Sequence, residues 1–231
     1  MWQYHPTPDS KSGKRAAVAI DCEMGTAKSG DSELIRVTLV DYFSSAILID
    51  SLVYPNVEML HYNTRYSGVT RKDMEIARST NRCIRGRDNA RIAIWRFVGP
   101  KTVVIGHSAN NDLAVLRWIH PVVVDTFLIL SAHRNAAREK AAIEKAAIEK
   151  AANEKDKSQP AAPSEGNLKP GSTKNGAKPK KQKGSGELSL KTLAKEKLGR
   201  EIQTAGNHGH DSLEDAIATR DLAHWIITNG I

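Results

Sequence analysis

Five apolar residues, Ala16-Ala17-Val18-Ala19-Ile20, run without a break into Asp21-Cys22-Glu23, and few places in a fold accommodate that succession. A short apolar run of this kind reads as a buried strand. Side chains alternate along a strand, so Asp21 and Glu23 share one face and Cys22 turns to the other. Burying charge costs several kcal/mol per group unless a partner or a metal offsets it. Two like charges at one strand end therefore ask for a cation. They are also what a strand simply ending in solvent looks like, and the pair alone does not choose.

At 231 residues the chain has room for one domain with a sizeable core, or one domain plus an excursion. Two cysteines, Cys22 and Cys83, give no disulfide framework, and no Cys/His spacing suggests zinc, which fits a reduced intracellular compartment. The start has no charged-then-apolar signal pattern. The most apolar stretch, Trp118 to Leu130, is interrupted by His120, Pro121 and Asp125, so neither secretion nor a membrane span is indicated. The net charge of +8 invites a nucleic-acid argument that its location weakens. Residues 131–186 carry 13 basic and 6 acidic side chains, whereas the rest of the chain is nearly balanced, with 21 and 20.

That segment differs from its flanks. It opens with a five-residue repeat, Glu139-Lys140-Ala141-Ala142-Ile143 and two further copies, rich in helix-forming residues. Ile143 and Ile148 form no stripe at helical spacing, which predicts a solvated helix and not a core element. From Ser158 to Gly186 the composition is Pro, Gly, Ser and Lys, which predicts disorder. Within it, Lys178-Pro179-Lys180-Lys181-Gln182-Lys183 reads as a nuclear localisation signal, a non-specific RNA tether, or a plain solvated charge run.

Residues 16–130 and 187–231 read as one α/β domain split by this 131–186 insertion and preceded by a segment, 1–15, whose Trp2 and Tyr4 suggest that it packs on the body. Runs at 16–22, 33–42 and 46–54 predict three consecutive strands with hairpin links. A helix over Asp88–Val98, a strand over Thr102–Gly106, a helix over Asn111–Ile119 and a strand over Val122–Thr126 follow. After the insertion come a helix across Leu188–Leu198, stopped by Gly199, and a last helix from about Leu213 to Thr228. The expected architecture is α/β, a mixed five-stranded sheet with flanking helices.

Further acids lie where helices begin. Asp112 falls in the first turn after Gly106-His107-Ser108-Ala109-Asn110-Asn111, where an acid also favours the helix dipole. His107 closes a buried strand, as a hydrogen-bonded structural histidine does. The last helix opens His208-Gly209-His210-Asp211-Ser212-Leu213-Glu214-Asp215. Here Ser212 with Asp215, or Asp211 with Glu214, makes a capping pair. The His-Gly-His stretch is harder to explain structurally. Glycine permits movement of an imidazole beside acids that are expected to raise its pKa, and neutral imidazole is a suitable general base.

Taken in order, Asp-x-Glu ending a first strand, Gly-His-Ser-x-x-x-Asp-Leu after a fourth, and His-x4-Asp at the last helix resemble the DEDDh exonucleases of the DnaQ-like group, with an RNase H-like fold. Ala19-Ile20-Asp21-Cys22-Glu23-Met24, Tyr62-Asn63-Thr64-Arg65-Tyr66-Ser67-Gly68-Val69-Thr70, Leu188-Ser189-Leu190-Lys191-Thr192-Leu193-Ala194 and Gly209-His210-Asp211-Ser212-Leu213-Glu214-Asp215-Ala216 look like the eukaryotic RNA exonucleases of the Rex and interferon-stimulated type. The resemblance implies that Asp21, Glu23, Asp112 and Asp215 hold two Mg²⁺ or Mn²⁺ ions, with His210 rather than His208 as the base. It implies that Met24, Gly25, Asn63, Arg65, His107, Ser108 and Asn111 grip the terminal nucleotide of a single-stranded RNA 3′ end, releasing nucleoside 5′-monophosphates in RNA processing or degradation. Asn63 departs from the Arg that many relatives carry. A DNA-directed exonuclease of the same superfamily and a catalytically idle RNA-binding module are the alternatives. A monomer, in the nucleus or nucleolus, is the expected setting, with the basic insertion as an RNA-affinity arm.

Overall fold

The structure is a computed structural model that describes residues 3–9, 13–156, 186–204 and 209–231. Trp2, His208, the segment read as disordered up to residue 185 and its Lys178–Lys183 tract lie outside the described residues, as does any role expected of them. In chain order the strands are β1 (His5–Pro6), β2 (Ala17–Ala27), β3 (Ser32–Asp41), β4 (Ile47–Tyr54), β5 (Met59–His61), β6 (Cys83–Arg85), β7 (Val103–Gly106), β8 (Trp118–Ile119) and β9 (Val123–Asp125). The helices are α1 (Thr64–Ser67), α2 (Arg71–Ser79), α3 (Gly86–Ile94), α4 (Ala109–Val115), α5 (Thr126–Asp156), α6 (Leu190–Leu198) and α7 (Ser212–Thr228).

The five expected strands, β2, β3, β4, β7 and β9, form the mixed sheet, with β2 antiparallel to β3, β3 antiparallel to β4, and β7 parallel to both β2 and β9. The short strands β6, parallel to β4, and β5, against the far end of β2, extend it to seven. Five was thus an undercount: β5 and β6 are short additions whose pairing with distant strands leaves no local pattern.

Alternation along β2 sorts its residues. Val18, Ile20 and Cys22 join a core with Ala90 and Ile94 of α3 and Val115 of α4. Ala17 and Ala19 pack on the other face with Ile105 and Ala223 of α7. Asp21 and Glu23 continue that second face, so α7 covers the side of the strand that bears the acids. Alanines on both partners let a helix backbone lie close to the sheet. A second apolar cluster, including Leu130, Leu193, Ile202 and Leu222, joins α5, α6 and α7.

Three expectations are corrected. The helix expected to reach Ile119 stops at Val115, because Arg117 takes a left-handed φ of 49° and Trp118–Ile119 pair with β1. The N-terminal segment is anchored by that pairing and by Thr7, whose hydroxyl accepts from the Trp118 indole at 2.7 Å. Tyr4, expected to pack, is 45% exposed. Helix α2 was not anticipated, although Thr70 and Asp73 form a reciprocal capping box at its start. The repeat region is helical and solvated, with Ile143 and Ile148 exposed, and it continues without interruption the helix that begins at Thr126.

Close packing of α7 on β2 yields the first prediction. Ala223→Leu should lower the unfolding free energy in urea by about 1–3 kcal/mol by overpacking. Ile227→Ala, at an exposed position of the same helix, should change it by under about 0.5 kcal/mol.

Candidate active site

Strand β2 delivers Asp21 and Glu23 opposite Thr38 and Arg36 of β3, just before a bulge between Glu23 and Met24. Helix α7 starts where it does because Asp211, not Ser212, caps it, accepting from the Leu213 N–H at 3.0 Å. The Ser212 hydroxyl is instead buried against Thr38 at 2.6 Å, tying the helix start to β3. One turn on, Asp215 faces the strand acids, and an oxygen from each of Asp21, Glu23 and Asp215 lies within 4.8 Å of the other two. Asp112, in the first turn of α4 and 5% exposed, stands beside this trio, its carboxylate accepting from the Cys22 backbone N–H and thiol.

Burial and mutual repulsion dominate the electrostatics. Desolvation, then the charges of Asp112, Asp215 and Glu23, hold the Asp21 carboxyl well above the usual range. Burial and Asp215 push Glu23 up to about 8, against the opposing charge of Arg36. Asp112 is pushed up to about 7 by burial, against its hydrogen bonds from Cys22. Asp215 is pushed up to about 6, chiefly by burial, with a hydrogen bond from Gln203 opposing. Carboxyls so placed have an unmet demand for positive charge.

His210 Nδ1 lies 3.7 Å from Asp215 Oδ2. Its pKa is lowered, contrary to expectation: burial disfavours the imidazolium, the Lys191 charge adds to this, and Glu214 only partly compensates. The ring is therefore neutral near pH 7, whereas the expected rise would have favoured the imidazolium.

A cleft of about 350 Å³ opens between Asp21, Asp215 and His210 on one side and His107, Ser108 and Phe127 on the other. His107 lines it with its ring while Nδ1 meets the Thr126 hydroxyl at 2.9 Å and Nε2 the Leu188 carbonyl at 3.0 Å, so both nitrogens are engaged. Ser108 takes φ 64°, and its N–H and that of Ala109 donate to Asp125. The remaining expected substrate residues are not cleft-lining. Asn111 is exposed on α4. Asn63 turns its amide to the Met24 carbonyl, at 3.1 Å, and to Thr26 Oγ1, at 3.3 Å. Arg65 is exposed, with its guanidinium 5.9 Å from the Tyr66 ring centre. Gly25 is closely packed: a Cβ there would lie 2.5 Å from Met59 Cε and 3.0 Å from the His61 carbonyl oxygen.

Two residues at the site had no distinguishing sequence signal. Gln203 has φ 54° and donates its side-chain amide to both Asp215 oxygens, at 3.1 and 2.9 Å. Its N–H donates to Glu214 at 2.7 Å and its carbonyl accepts from Lys191 at 2.7 Å. Arg36 donates two bonds to Asp50, at 2.9 and 3.1 Å, and reaches Asp211 at 3.0 Å. Its position opposite Glu23 follows from the strand register alone.

No family model matches the chain. RNA exonuclease 3 of Emericella nidulans is 32% identical over 241 residues, covering 95% of this chain and 30% of that protein. RNA exonuclease 1 of Saccharomyces cerevisiae is 30% identical over 226 residues, covering 97% and 30%. The chain thus spans under a third of the length of these two curated relatives. The Saccharomyces cerevisiae Pan2 pseudoubiquitin hydrolase–RNA exonuclease module, solved in complex with AAGGAA RNA, shares the fold with a TM-score of 0.62 at 21% identity, covering 94% of this chain and 29% of that one. Given these relatives and the acid-and-histidine site at the end of β2, the chain belongs to the DEDD-type exonuclease family, in its eukaryotic RNA exonuclease branch.

Proposed function

We propose that this domain is a metal-dependent 3′→5′ exoribonuclease that releases nucleoside 5′-monophosphates from single-stranded RNA. The observation that carries the reading is the meeting of Asp21, Glu23 and Asp215 within 4.8 Å, with His210 beside Asp215 at the mouth of an open cleft. The relatives named RNA exonucleases and the RNA-bound Pan2 module favour RNA over DNA as the substrate.

Enzymes of this family work with divalent metals, and the donors here fit: buried and partly buried carboxylate oxygens, short of positive charge, suit hard cations such as Mg²⁺ or Mn²⁺. Asp21, Glu23 and Asp215 would hold the metal, with Asp112 available beside Asp21. Bound, two such ions would offset the phosphate charge and stabilise the attacking and leaving oxygens. The chain's own groups supply the rest. His210, neutral because of burial and Lys191, accepts the proton of the attacking water. Gln203 orients the Asp215 carboxylate through both oxygens. His107 and Phe127, edge to face at 5.7 Å, form an aromatic wall against which a terminal base can lie.

The insertion returns to the domain at the cleft. Arg134 and Arg138 of α5 pair with Glu187, at 2.7 and 3.1 Å, and the next residue, Leu188, lines the cleft. We take the basic insertion to hold the RNA backbone, a reading supported by the place of Leu188 in the cleft lining, and nuclear or nucleolar residence, read from Lys178–Lys183, belongs to the same proposal. So do a role in RNA processing and a monomeric state.

The test is an end-labelled RNA assay. Native protein with Mg²⁺ or Mn²⁺ should give a ladder shortened from the 3′ end, and EDTA or Asp21→Ala should abolish it; activity surviving both sinks the reading. His210→Ala should lose about 10²–10⁴-fold in kcat with little change in KM, as expected for loss of a general base. Deleting residues 136–184 should flatten the salt dependence of RNA binding, and an unchanged slope removes the arm from the proposal.

A further prediction concerns pH. The site carboxyls titrate near 4 in the unfolded chain but at about 8 for Glu23, about 7 for Asp112 and about 6 for Asp215 when folded. Across that interval the folded, metal-free protein holds protons that the unfolded chain has released, so stability falls as pH rises. Thermal unfolding in EDTA should therefore show Tm dropping through this window, and Mn²⁺ should restore it most at the alkaline end. A metal-free Tm that climbs with pH would contradict the assignment.

A further inference from the structure

We infer that the turn from Asn63 to Gly68 is the seat that fixes His210 against the acid-bearing strand, with Gly209 as the positioning residue that lets the histidine segment lie on it. The inference rests on His210 as the general base and concerns how the fold places it.

Gly209 has φ +81°, in the left-handed region that favours glycine. Space there is equally restrictive. A Cβ would fall far inside contact distance of the Gly68 backbone nitrogen and Cα, and 2.8 Å from the Thr64 carbonyl oxygen. All three are main-chain atoms, so none can swing aside as a side chain would. The next residue completes the contact: the His210 N–H donates to the Tyr66 carbonyl at 2.6 Å. The glycine between the two histidines, read from sequence as a source of freedom, is instead a point of close approach.

The turn is firmly built. The Ser67 N–H donates to Asn63 O at 3.0 Å and the Gly68 N–H to Thr64 O at 3.0 Å. The Thr64 hydroxyl donates to Val69 O at 2.7 Å. The Ser67 hydroxyl, buried, donates to Tyr62 O at 2.7 Å and accepts from the Val69 N–H at 3.1 Å. At its start the Asn63 amide donates to the Met24 carbonyl, one residue past Glu23. Main-chain and buried side-chain contacts therefore run from the metal-facing strand, through the turn, to the backbone of the base. This gives Asn63 a bracing part in the site through its bond to the strand. Transfer of a proton is steep in distance and angle, so an imidazole shifted by about 1 Å loses much of its rate.

The test compares two glycines in the full chain. Gly199 has a similar φ of +63° but open space around its Cβ position, so Gly199→Ala carries the same backbone strain without the collision. Gly209→Ala should lower kcat on a labelled single-stranded RNA by roughly tenfold or more, with KM and calorimetric Mn²⁺ affinity within about twofold of native. Gly199→Ala should leave all three near native. Native-like kcat in Gly209→Ala overturns the inference, as does a fall in kcat matched by loss of Mn²⁺ affinity, which signals general collapse. Should Gly209→Ala not fold, Ser67→Ala decides: it removes both bonds of the turn's buried hydroxyl and should reduce kcat several-fold at constant KM, and unchanged kcat overturns the inference. His210→Ala separates the two levels. Native-like kcat there defeats the general-base reading itself, whereas loss there with native-like Gly209→Ala defeats only the seat.

Discussion

The contact between small residues of β2 and helix α7 is the constraint on which the rest of the site depends. Ala17 and Ala19 on the strand and Ala223 on the helix keep the two backbones close over the sheet face that ends in Asp21 and Glu23. Larger side chains would lift α7 and carry Asp215 with it. Because α7 also closes the second apolar cluster with α5 and α6, the position of one carboxylate is set by the packing of half the domain. The bond between Ser212 and Thr38 fixes the same helix lengthwise. Together these contacts keep like charges together in a place that no carboxylate would choose for itself.

That arrangement stores unfavourable electrostatics, and the surroundings offset only part. Arg36 opposes the rise at Asp21 and Glu23, but the two bonds it donates to Asp50 and an ion pair with Asp211 already occupy it. Gln203 and Cys22 give hydrogen bonds to Asp215 and Asp112, but a neutral donor cannot cancel a charge. What remains is a site whose preferred complement is a divalent cation. Lys191 contributes differently: it sits near enough to disfavour the imidazolium of His210, and its ammonium holds the Gln203 carbonyl. Base and acids are tuned by one small set of neighbours.

Much of this was legible in the sequence because it rests on local rules. The alternation of Val18, Ile20 and Cys22 against Ala17, Ala19, Asp21 and Glu23 fixes which residues face α7. Chain order and turn lengths anticipate the antiparallel trio and the parallel strands that follow. Less was legible where a few residues take their structure from distant partners. Trp118–Ile119 leave a helical pattern only because β1 lies alongside, and β5 exists only as an addition to the end of β2. At the site, Gln203 has nothing local to distinguish it. The bond by which Asn63 braces the strand end likewise joins residues 39 positions apart in sequence and has no local signal.

The sequence by itself determined the chemistry: which acids and which histidine are available, and, through the two-residue period of a strand, that Asp21 and Glu23 point the same way. Only the tertiary structure decided how those groups behave. Proton affinity depends on burial and on charges brought from elsewhere in the chain, so the direction of the His210 shift could not be read from its neighbours in sequence. Steric room is likewise a property of the assembled fold. Gly209 is a permissive residue in the sequence and a restrictive one in space, because the backbone of Gly68 occupies the volume where its side chain would be.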